Sequence, residues 1–196
     1  MKFKILGTKI YVSFLFLAPL CLMLLLDKSG FFLPMVIAVI LHETAHLTAM
    51  WMLHCNPKEI SLIPASVRIV RSVTVRVRNE IIISLSGPLI NILFFSVFFA
   101  VFKTTGNMDI LNFSLINLLF AVFNLLPVKQ LDGGLILYKL LSYFKGENKA
   151  QIVLNFISAV TGVLLLVLGI WLFLKNKNFS VIVMSLYILL SILVKL

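Results

Sequence analysis

Long apolar stretches separated by short polar segments run along the whole chain. Six of them are 16 to 23 residues long, close to the roughly 20 residues that cross a bilayer as a helix. They span Ile10–Leu26, Phe31–Leu53, Ile81–Phe102, Ile110–Val128, Ile152–Leu174 and Phe179–Val194. The pattern predicts an all-α polytopic membrane protein with about six transmembrane helices, folded as a single membrane-embedded domain over residues 1–196.

The segment between the second and third apolar stretches follows a different pattern. Val67–Arg78 alternates between β-branched and polar or charged residues, which is the period of a β-strand. A turn at Arg71-Ser72 would fold this segment into a short membrane-associated β-hairpin. The alternative interpretation is a loop whose arginines contact anionic lipid headgroups.

The composition supports the membrane class. Hydrophobic residues make up 61% of the chain and charged residues 12%, with a mean hydropathy of +1.12, whereas an average soluble domain has roughly 25% charged residues. These values exclude a disordered chain and argue against an ordinary soluble domain, which needs polar residues over most of its surface. The two cysteines form no CxxC pair, which excludes a disulfide scaffold or a zinc finger.

The net charge of +10 indicates membrane topology rather than nucleic-acid binding, because the basic residues lie between the apolar stretches. With a cytoplasmic N-terminus and six crossings, thirteen lysines and arginines fall on the inner side and four on the outer side. Lysine and arginine are enriched in cytoplasmic loops of membrane proteins. We therefore expect both termini in the cytoplasm.

The second apolar stretch contains His42-Glu43-Thr44-Ala45-His46. On a helix, His42 and His46 project from one face, about 40° and one turn apart. Two imidazoles in this relation fit a tetrahedral zinc ion, and Glu43 could take a proton from a water molecule that the metal activates. The alternative is a polar cluster that hydrogen-bonds to neighbouring helices. Against it, ionisable residues inside a spanning helix cost about 2.5–3.5 kcal/mol each and usually serve a function.

A catalytic zinc site usually has a third protein ligand, and the chain has only seven acidic residues. Besides Glu43 and Asp132, they lie in short polar loops, where a solvated side chain is the simple interpretation. Asp132 alone combines an apolar context, a helix interrupted by Pro127 and Gly133-Gly134, and the same side of the membrane as His46. We predict that Asp132 is the third ligand; the alternative is an aspartate that caps a helix.

Three motifs carry a resemblance to a known family. The motifs His42-Glu43-x-x-His46 and Asn124-x-x-Pro127-x-x-x-Leu131-Asp132-Gly133 together resemble the paired motif of the site-2 protease family of intramembrane zinc metalloproteases. Ser86-Gly87-Pro88-x-x-Asn91 is similar to a further, looser pattern of that family. The motifs lie in a core of about residues 31–144, with accessory helices over 10–26, 152–174 and 179–194. The compact layout is similar to the stage IV sporulation protein FB group.

The resemblance implies that His42, His46 and Asp132 bind Zn²⁺, that Glu43 activates water, and that Asn124 holds the substrate backbone. A helix-packing amide is the alternative role for Asn124. The resemblance also implies regulated intramembrane proteolysis of a membrane-tethered regulatory protein, such as a pro-sigma factor in sporulation. The other expected partners are the lipid bilayer and membrane regulatory proteins, with no nucleic acid.

The expected location is the bacterial cytoplasmic membrane, with the active site toward the cytoplasmic side. We expect no PDZ or CBS module of that family within these residues. The oligomeric state is not readable from the sequence.

Two other functions are compatible with the same residues. A metal-ion or proton transporter also places histidines and aspartates at membrane depth, but it usually has several polar sites along a path and repeated halves. This chain has one tight cluster and no evident repeat. A catalytically inactive homologue that binds membrane partners is the second alternative, and the intact Glu43 argues against it.

Overall fold

The computed structural model describes residues 2–5, 8–12, 26–27, 30–55, 57–63, 66–71, 75–177 and 179–193. Helices cover most of this part of the chain: α1 (Phe32–Met52), α2 (Val77–Thr105), α3 (Met108–Asn124), α4 (Asp132–Lys145), α5 (Glu147–Asn176) and α6 (Ser180–Leu193). The strands are short: β1 (Lys2–Ile5), β2 (Thr8–Val12), β3 (Pro57–Ile63) and β4 (Ser66–Arg71).

The chain divides into two compact units, Met1–Ala121 and Val122–Leu196. In the first unit, α1 packs against α2, and the strands form one sheet. In the second unit, α5 packs against both α4 and α6. Small residues allow the last pair to approach closely: a Cβ on Gly162 would lie 2.9 Å from Leu189, and one on Gly169 would lie 2.9 Å from Ile182.

The helices of the first unit have identifiable boundaries. The Asp27 carboxylate accepts a hydrogen bond from the backbone N–H of Phe32 (2.9 Å) and thereby satisfies one of the N–H groups that begin α1. At the C-terminal end of α2, Gly106 adopts a left-handed conformation (φ +67°), and its N–H donates to the carbonyl of Phe102 (2.8 Å). A glycine in this conformation is a common helix stop, because it has no Cβ to strain the backbone.

The sheet has the strand order β1-β2-β3-β4, which leaves β1 and β4 at its edges. The outer pairs, β1 with β2 and β3 with β4, are antiparallel, whereas β2 and β3 are parallel. The central register places Ile60 of β3 beside Ile10 of β2 on one side and beside Ile69 of β4 on the other.

The strands between α1 and α2 differ from the sequence-based prediction in position. The partner of β4 is β3, which precedes it, and not a segment beyond Arg71-Ser72. The predicted strand is wrong at its far end, where Val77 and Arg78 open α2. The alternation of β-branched residues is overridden there because these residues continue directly into a long apolar helix, which adds one backbone hydrogen bond per residue.

The predicted first helix, Ile10–Leu26, is also corrected at its start, because residues 10–12 belong to β2. The remainder of that prediction, apart from Leu26, lies outside the described residues. The alternation of lysines with apolar residues in β1 has the period of a strand. That signal was obscured by the apolar run that follows it.

Three helices in the described part of the chain are long and apolar enough to cross a membrane: α1, α2 and residues Glu147–Lys175 of α5. The predicted spans at Phe31–Leu53, Ile81–Phe102 and Ile152–Leu174 correspond to them. The apolar helices α3 and Ser180–Leu190 of α6 are shorter, so the crossing predicted for each of them stays a prediction. The predicted span to Val128 ends earlier, because α3 stops at Asn124.

Burial in the described residues is the reverse of that in a soluble protein. Nine polar or charged residues are buried against eight hydrophobic ones, and large apolar side chains such as Leu119 and Leu164 point outward. A soluble protein buries apolar residues and exposes charged ones. An apolar exterior around a polar interior is suited to a bilayer, in which polar groups need partners within the protein.

Candidate metal centre

The helix α1 brings His42 and His46 together, as the sequence predicts. Both side chains are buried, with 2% and 8% of their surface exposed. Their rings meet edge to face with centroids 4.7 Å apart, and the two Nε2 atoms lie 3.1 Å from each other. The ring of Phe120 from α3 packs edge-on against His42 at 5.0 Å and limits the space around the pair.

The orientation of His46 is fixed by the backbone of α2. Its Nδ1 lies 2.7 Å from the carbonyl oxygen of Ile83. A carbonyl oxygen only accepts hydrogen bonds, so Nδ1 carries the hydrogen and donates it. Ser86 also donates its hydroxyl to this carbonyl, at 2.6 Å, and lies 3.3 Å from the same Nδ1.

The orientation of His42 is fixed by a side chain of α2. Its Nδ1 lies 2.8 Å from Oδ1 of Asn91, which also only accepts. The hydrogen of this imidazole is therefore on Nδ1. In the neutral form of both rings each Nε2 is therefore an acceptor, and the two Nε2 atoms lie 3.1 Å apart.

This arrangement fits a metal ion. Zinc binds histidine nitrogen at about 2.0–2.1 Å with tetrahedral angles, which places two ligand nitrogens about 3.3 Å apart. The observed distance of 3.1 Å is close to this value. Hydrogen bonds from the second ring nitrogen of each histidine are also typical of metal ligands. The geometry of the imidazole pair is thus compatible with two nitrogen ligands of one cation.

Space for the two rings depends on Gly87 in α2. A Cβ at this position would lie 2.5 Å from Nε2 of His46 and 2.7 Å from Cε1 of His42. The next residue, Pro88, lies inside the helix and cannot donate the usual hydrogen bond to the carbonyl of Ser84. Prolines inside helices bend them, and this one lies in the same turn as the Ile83 carbonyl that accepts from His46.

Glu43 lies on α1 between the two histidines and is half-buried. Its position is about 100° around the helix from His42. The carboxylate therefore projects beside the face that carries the imidazoles, which is the position that the sequence-based hypothesis of a proton acceptor requires. The role of Glu43 stays a prediction.

In the second unit, Asp132 is the first residue of α4, and Leu131 is the N-cap. The alternative interpretation of Asp132 as the capping residue is therefore wrong. An acidic side chain in the first turn is favoured by the helix dipole. The two glycines after Asp132 pack closely against the backbone that precedes it. A Cβ on Gly133 would collide with the carbonyl of Leu125, and one on Gly134 with that of Val128.

Ser158 of α5 holds the loop that leads to Asp132. Its hydroxyl accepts a hydrogen bond from the backbone N–H of Lys129 (3.1 Å) and lies 3.4 Å from the carbonyl of Pro127. The side chain is fully buried. Two loop backbone groups therefore have a partner in a neighbouring helix of the same unit. Asn124, the predicted substrate-binding residue, ends α3 just before this loop and is half-buried.

Sequence reasoning missed three residues of this arrangement: Gly87 as the space for the imidazoles, Asn117 as the hydrogen-bond partner of Asn91 (2.9 Å), and Ser158. A polar residue in the middle of an apolar stretch was the available signal for Asn117 and Ser158. Such residues are costly in a membrane and tend to have specific partners.

Comparisons with known proteins agree with this chemistry. The family model for peptidase family M50 matches residues 109–168, a region that contains Asn124 and Asp132. A zinc metalloprotease of Methanocaldococcus jannaschii is 28% identical in an alignment 199 residues long that covers 95% of this chain. The chain spans 57% of the length of that relative.

A solved structure of a site-2 protease from Methanocaldococcus jannaschii has the same fold, with a TM-score of 0.69 and 25% sequence identity. The match covers 98% of this chain and 93% of that one. The chain is thus similar over most of its length to a zinc metalloprotease and to a site-2 protease, and part of it matches the model of peptidase family M50. Its apolar helices and paired imidazoles are compatible with these likenesses.

Proposed function

We propose that this protein is a zinc metalloendopeptidase that hydrolyses a peptide bond in or near the membrane segment of a membrane-tethered regulatory protein. The observation that carries the proposal is the convergence of two buried imidazole nitrogens, Nε2 of His42 and Nε2 of His46, 3.1 Å apart. Two hydrogen-bond acceptors this close repel each other unless a cation or a proton is shared between them. The likenesses to a zinc metalloprotease and a site-2 protease favour zinc.

Three residues are assigned to the zinc ion: His42, His46 and Asp132. Together they would supply two imidazole nitrogens and a carboxylate oxygen. Catalytic zinc sites typically use three protein ligands and keep a fourth position for water or substrate. Zinc bound by these residues supplies a Lewis acid that activates water and polarises the scissile carbonyl.

Glu43 acts first as general base and then as general acid. Its carboxylate accepts a proton from the attacking water, and the resulting carboxylic acid donates that proton to the leaving amine as the C–N bond breaks. The ring hydrogens on Nδ1 of His42 and His46 are donated to Asn91 and to the Ile83 carbonyl, and each Nε2 is left to bind the metal.

The substrate must be extended where it is cut, because a helical segment hides its carbonyl groups in its own hydrogen bonds. The edge strand β4 is suited to pair with such a segment, since an edge strand presents unpaired backbone groups. Asn124 at the end of α3 is assigned to hold the substrate backbone with its side-chain amide.

A pro-sigma factor tethered to the bacterial cytoplasmic membrane is the substrate that this proposal favours. Both termini of the protease would then lie in the cytoplasm, with cleavage on the cytoplasmic side. The excess of basic residues in the segments assigned to that side supports this orientation.

The test compares the wild type with Glu43→Gln and Glu147→Gln in lipid nanodiscs with zinc. Each variant is incubated with membrane-tethered pro-sigma factor and anti-sigma factor segments. Glu43→Gln keeps all three ligands, so we expect one zinc per chain with cleavage slowed about 10²- to 10⁴-fold. Glu147 is exposed at the start of α5. The variant Glu147→Gln is therefore the matched control and should cleave at the wild-type rate.

Two outcomes would contradict the proposal. Cleavage by Glu43→Gln at the wild-type rate would remove Glu43 from the mechanism. A wild-type protein that holds zinc but cleaves none of the tethered segments would contradict the proposed protease activity on this class of substrate.

A further inference from the structure

We propose that Asn91 and Asn117 are positioning residues that hold His42 in the one tautomer and orientation that direct its Nε2 to the metal. The inference rests on the zinc site proposed above and concerns what keeps its first ligand in place. The two amides form a chain of hydrogen bonds that begins at backbone carbonyls and ends at the imidazole.

The direction of this chain is fixed at its start. Nδ2 of Asn117 donates to the carbonyl of Phe113 (2.9 Å), which can only accept. The other end of this amide, Oδ1, then faces Asn91 and accepts from its Nδ2 (2.9 Å). Nδ2 of Asn91 gives a second hydrogen bond to the carbonyl of Ala38 (3.1 Å).

The orientation of Asn91 determines which nitrogen of His42 carries the hydrogen. With both hydrogens of its Nδ2 donated, Asn91 can present only Oδ1 to His42, at 2.8 Å from Nδ1. The imidazole must therefore carry its hydrogen on Nδ1 and leave Nε2 as the ligand atom. A flipped Asn91 would break this bond and also its two bonds to Ala38 and Asn117.

Burial makes the chain of amides decisive. Asn91 and Asn117 are both fully buried, with 0% of their surface exposed. Each of the four side-chain polar atoms of these two amides has a protein partner. The hydrogen bonds of the two amides join α1, α2 and α3 at one point. A hydrogen bond is stronger in a low-dielectric interior than in water.

The two histidines differ in how they are held. His46 donates to a backbone carbonyl, that of Ile83, which no side-chain substitution can remove. His42 donates to a side chain, so a substitution at Asn91 acts on one ligand only. The chain of amides is thus a place where the affinity of the site for metal can change without loss of a ligand.

A helix-packing role alone would have different consequences. Ser114 provides the comparison, because it is also fully buried and joins α3 to α2 by donating to the carbonyl of Phe95 (3.1 Å). It has no hydrogen bond to either histidine among those described. Packing alone predicts similar effects for Asn91, Asn117 and Ser114, whereas positioning separates the first two from the third.

The test uses the full-length protein in nanodiscs with ¹⁵N-labelled histidine. The chain has three histidines, and the exposed His54 is removed by His54→Gln to simplify the spectrum. In metal-free protein, the ¹⁵N shifts report which ring nitrogen carries the hydrogen. Zinc affinity is measured on the same samples by competition with a chelator.

In Asn91→Leu and Asn117→Ala we expect the Nε2–H tautomer of His42 to become populated and zinc affinity to fall about 10- to 100-fold. Asn91→Asp keeps an oxygen acceptor for Nδ1, so it should retain the Nδ1–H tautomer and bind zinc more tightly than Asn91→Leu. Ser114→Ala should keep the wild-type tautomer and zinc affinity, whatever its thermal stability.

The inference is overturned if Asn91→Leu keeps the wild-type tautomer and affinity, or if Ser114→Ala weakens zinc binding as much as Asn91→Leu does. Failure of the proposed function looks different, because the wild type would then bind no zinc, or His42→Ala would bind zinc as well as the wild type. Should Asn91→Leu not fold, Asn117→Ala and Asn91→Asp decide the question by the same two measurements.

Discussion

Gly87 of α2 lies so close to His46 of α1 that a Cβ on the glycine would stand 2.5 Å from Nε2 of the imidazole. This is closer than non-bonded carbon and nitrogen atoms approach. The same added carbon would lie 2.7 Å from Cε1 of His42. The contact between the two imidazoles therefore depends on the absence of a side chain at Gly87 on the facing helix.

We predict that Gly87→Ala lowers zinc occupancy well below one per chain and abolishes proteolysis, because the methyl group displaces both imidazoles. Metal analysis of the purified protein measures this directly. Gly106→Ala is the control. It strains a left-handed residue (φ +67°) with no atom within 4 Å of the added carbon, so it should lose roughly 1–2 kcal/mol of stability but keep its zinc. Full zinc occupancy in Gly87→Ala would contradict the proposed metal position.

Ser158→Ala should destabilise the second unit. The substitution removes the hydroxyl that accepts from the backbone N–H of Lys129, and the net loss of one hydrogen bond costs about 0.5–1.5 kcal/mol. Thermal unfolding in detergent is the measurement, and zinc affinity should fall in parallel because Asp132 follows this loop. Ser142→Ala is the control, since that hydroxyl only donates to the carbonyl of Lys139 within its own helix (3.0 Å). Equal unfolding temperatures for Ser158→Ala and the wild type would show that the hydroxyl does not hold the loop.

Proline substitutions in β4 test whether this edge holds substrate. In an antiparallel pair, successive residues direct their N–H groups alternately toward the partner and away from it. Of the neighbours Arg68 and Ile69, one N–H therefore faces β3 and the other faces the open edge. Proline at the outward position removes one donor to the substrate, so we expect KM to rise about 2- to 10-fold with unchanged thermal stability.

Proline at the inward position should instead lower thermal stability, because it breaks a bond between β3 and β4. Cleavage kinetics and thermal unfolding of both variants identify which position is which. An unchanged KM in the variant that keeps its stability would exclude β4 as the surface that holds substrate.

Local spacing in the sequence was enough to predict part of this site. The four-residue interval between His42 and His46 places both rings on one helix face by geometry alone, and the structure has them in contact. The assignments of Asp132 and Asn124 rest on the interrupted backbone and on the family resemblance, and they stay predictions. The contact between the two histidines depends only on residues that are close in the chain.

The remaining parts depend on neighbours that are distant in the chain. Asn117 resembles any other asparagine of an apolar stretch until α3 brings it to Asn91, 26 residues away. Ser158 becomes important only because α5 packs near Lys129. The sequence places residues 10–12 of β2 in a helix because they continue into a longer apolar run, whereas their actual state depends on pairing with β3. Tertiary contacts of this kind override local propensity.

X-ray absorption at the zinc edge, on wild-type protein in nanodiscs, tests the central claim most directly. We predict one zinc per chain with two imidazole nitrogens at about 2.0–2.1 Å, the remaining ligands being oxygen. In His46→Ala one imidazole should disappear from the spectrum. A protein that takes up no zinc, or a spectrum dominated by sulfur at about 2.3 Å, would contradict the assignment of His42 and His46 as the ligands of a catalytic metal.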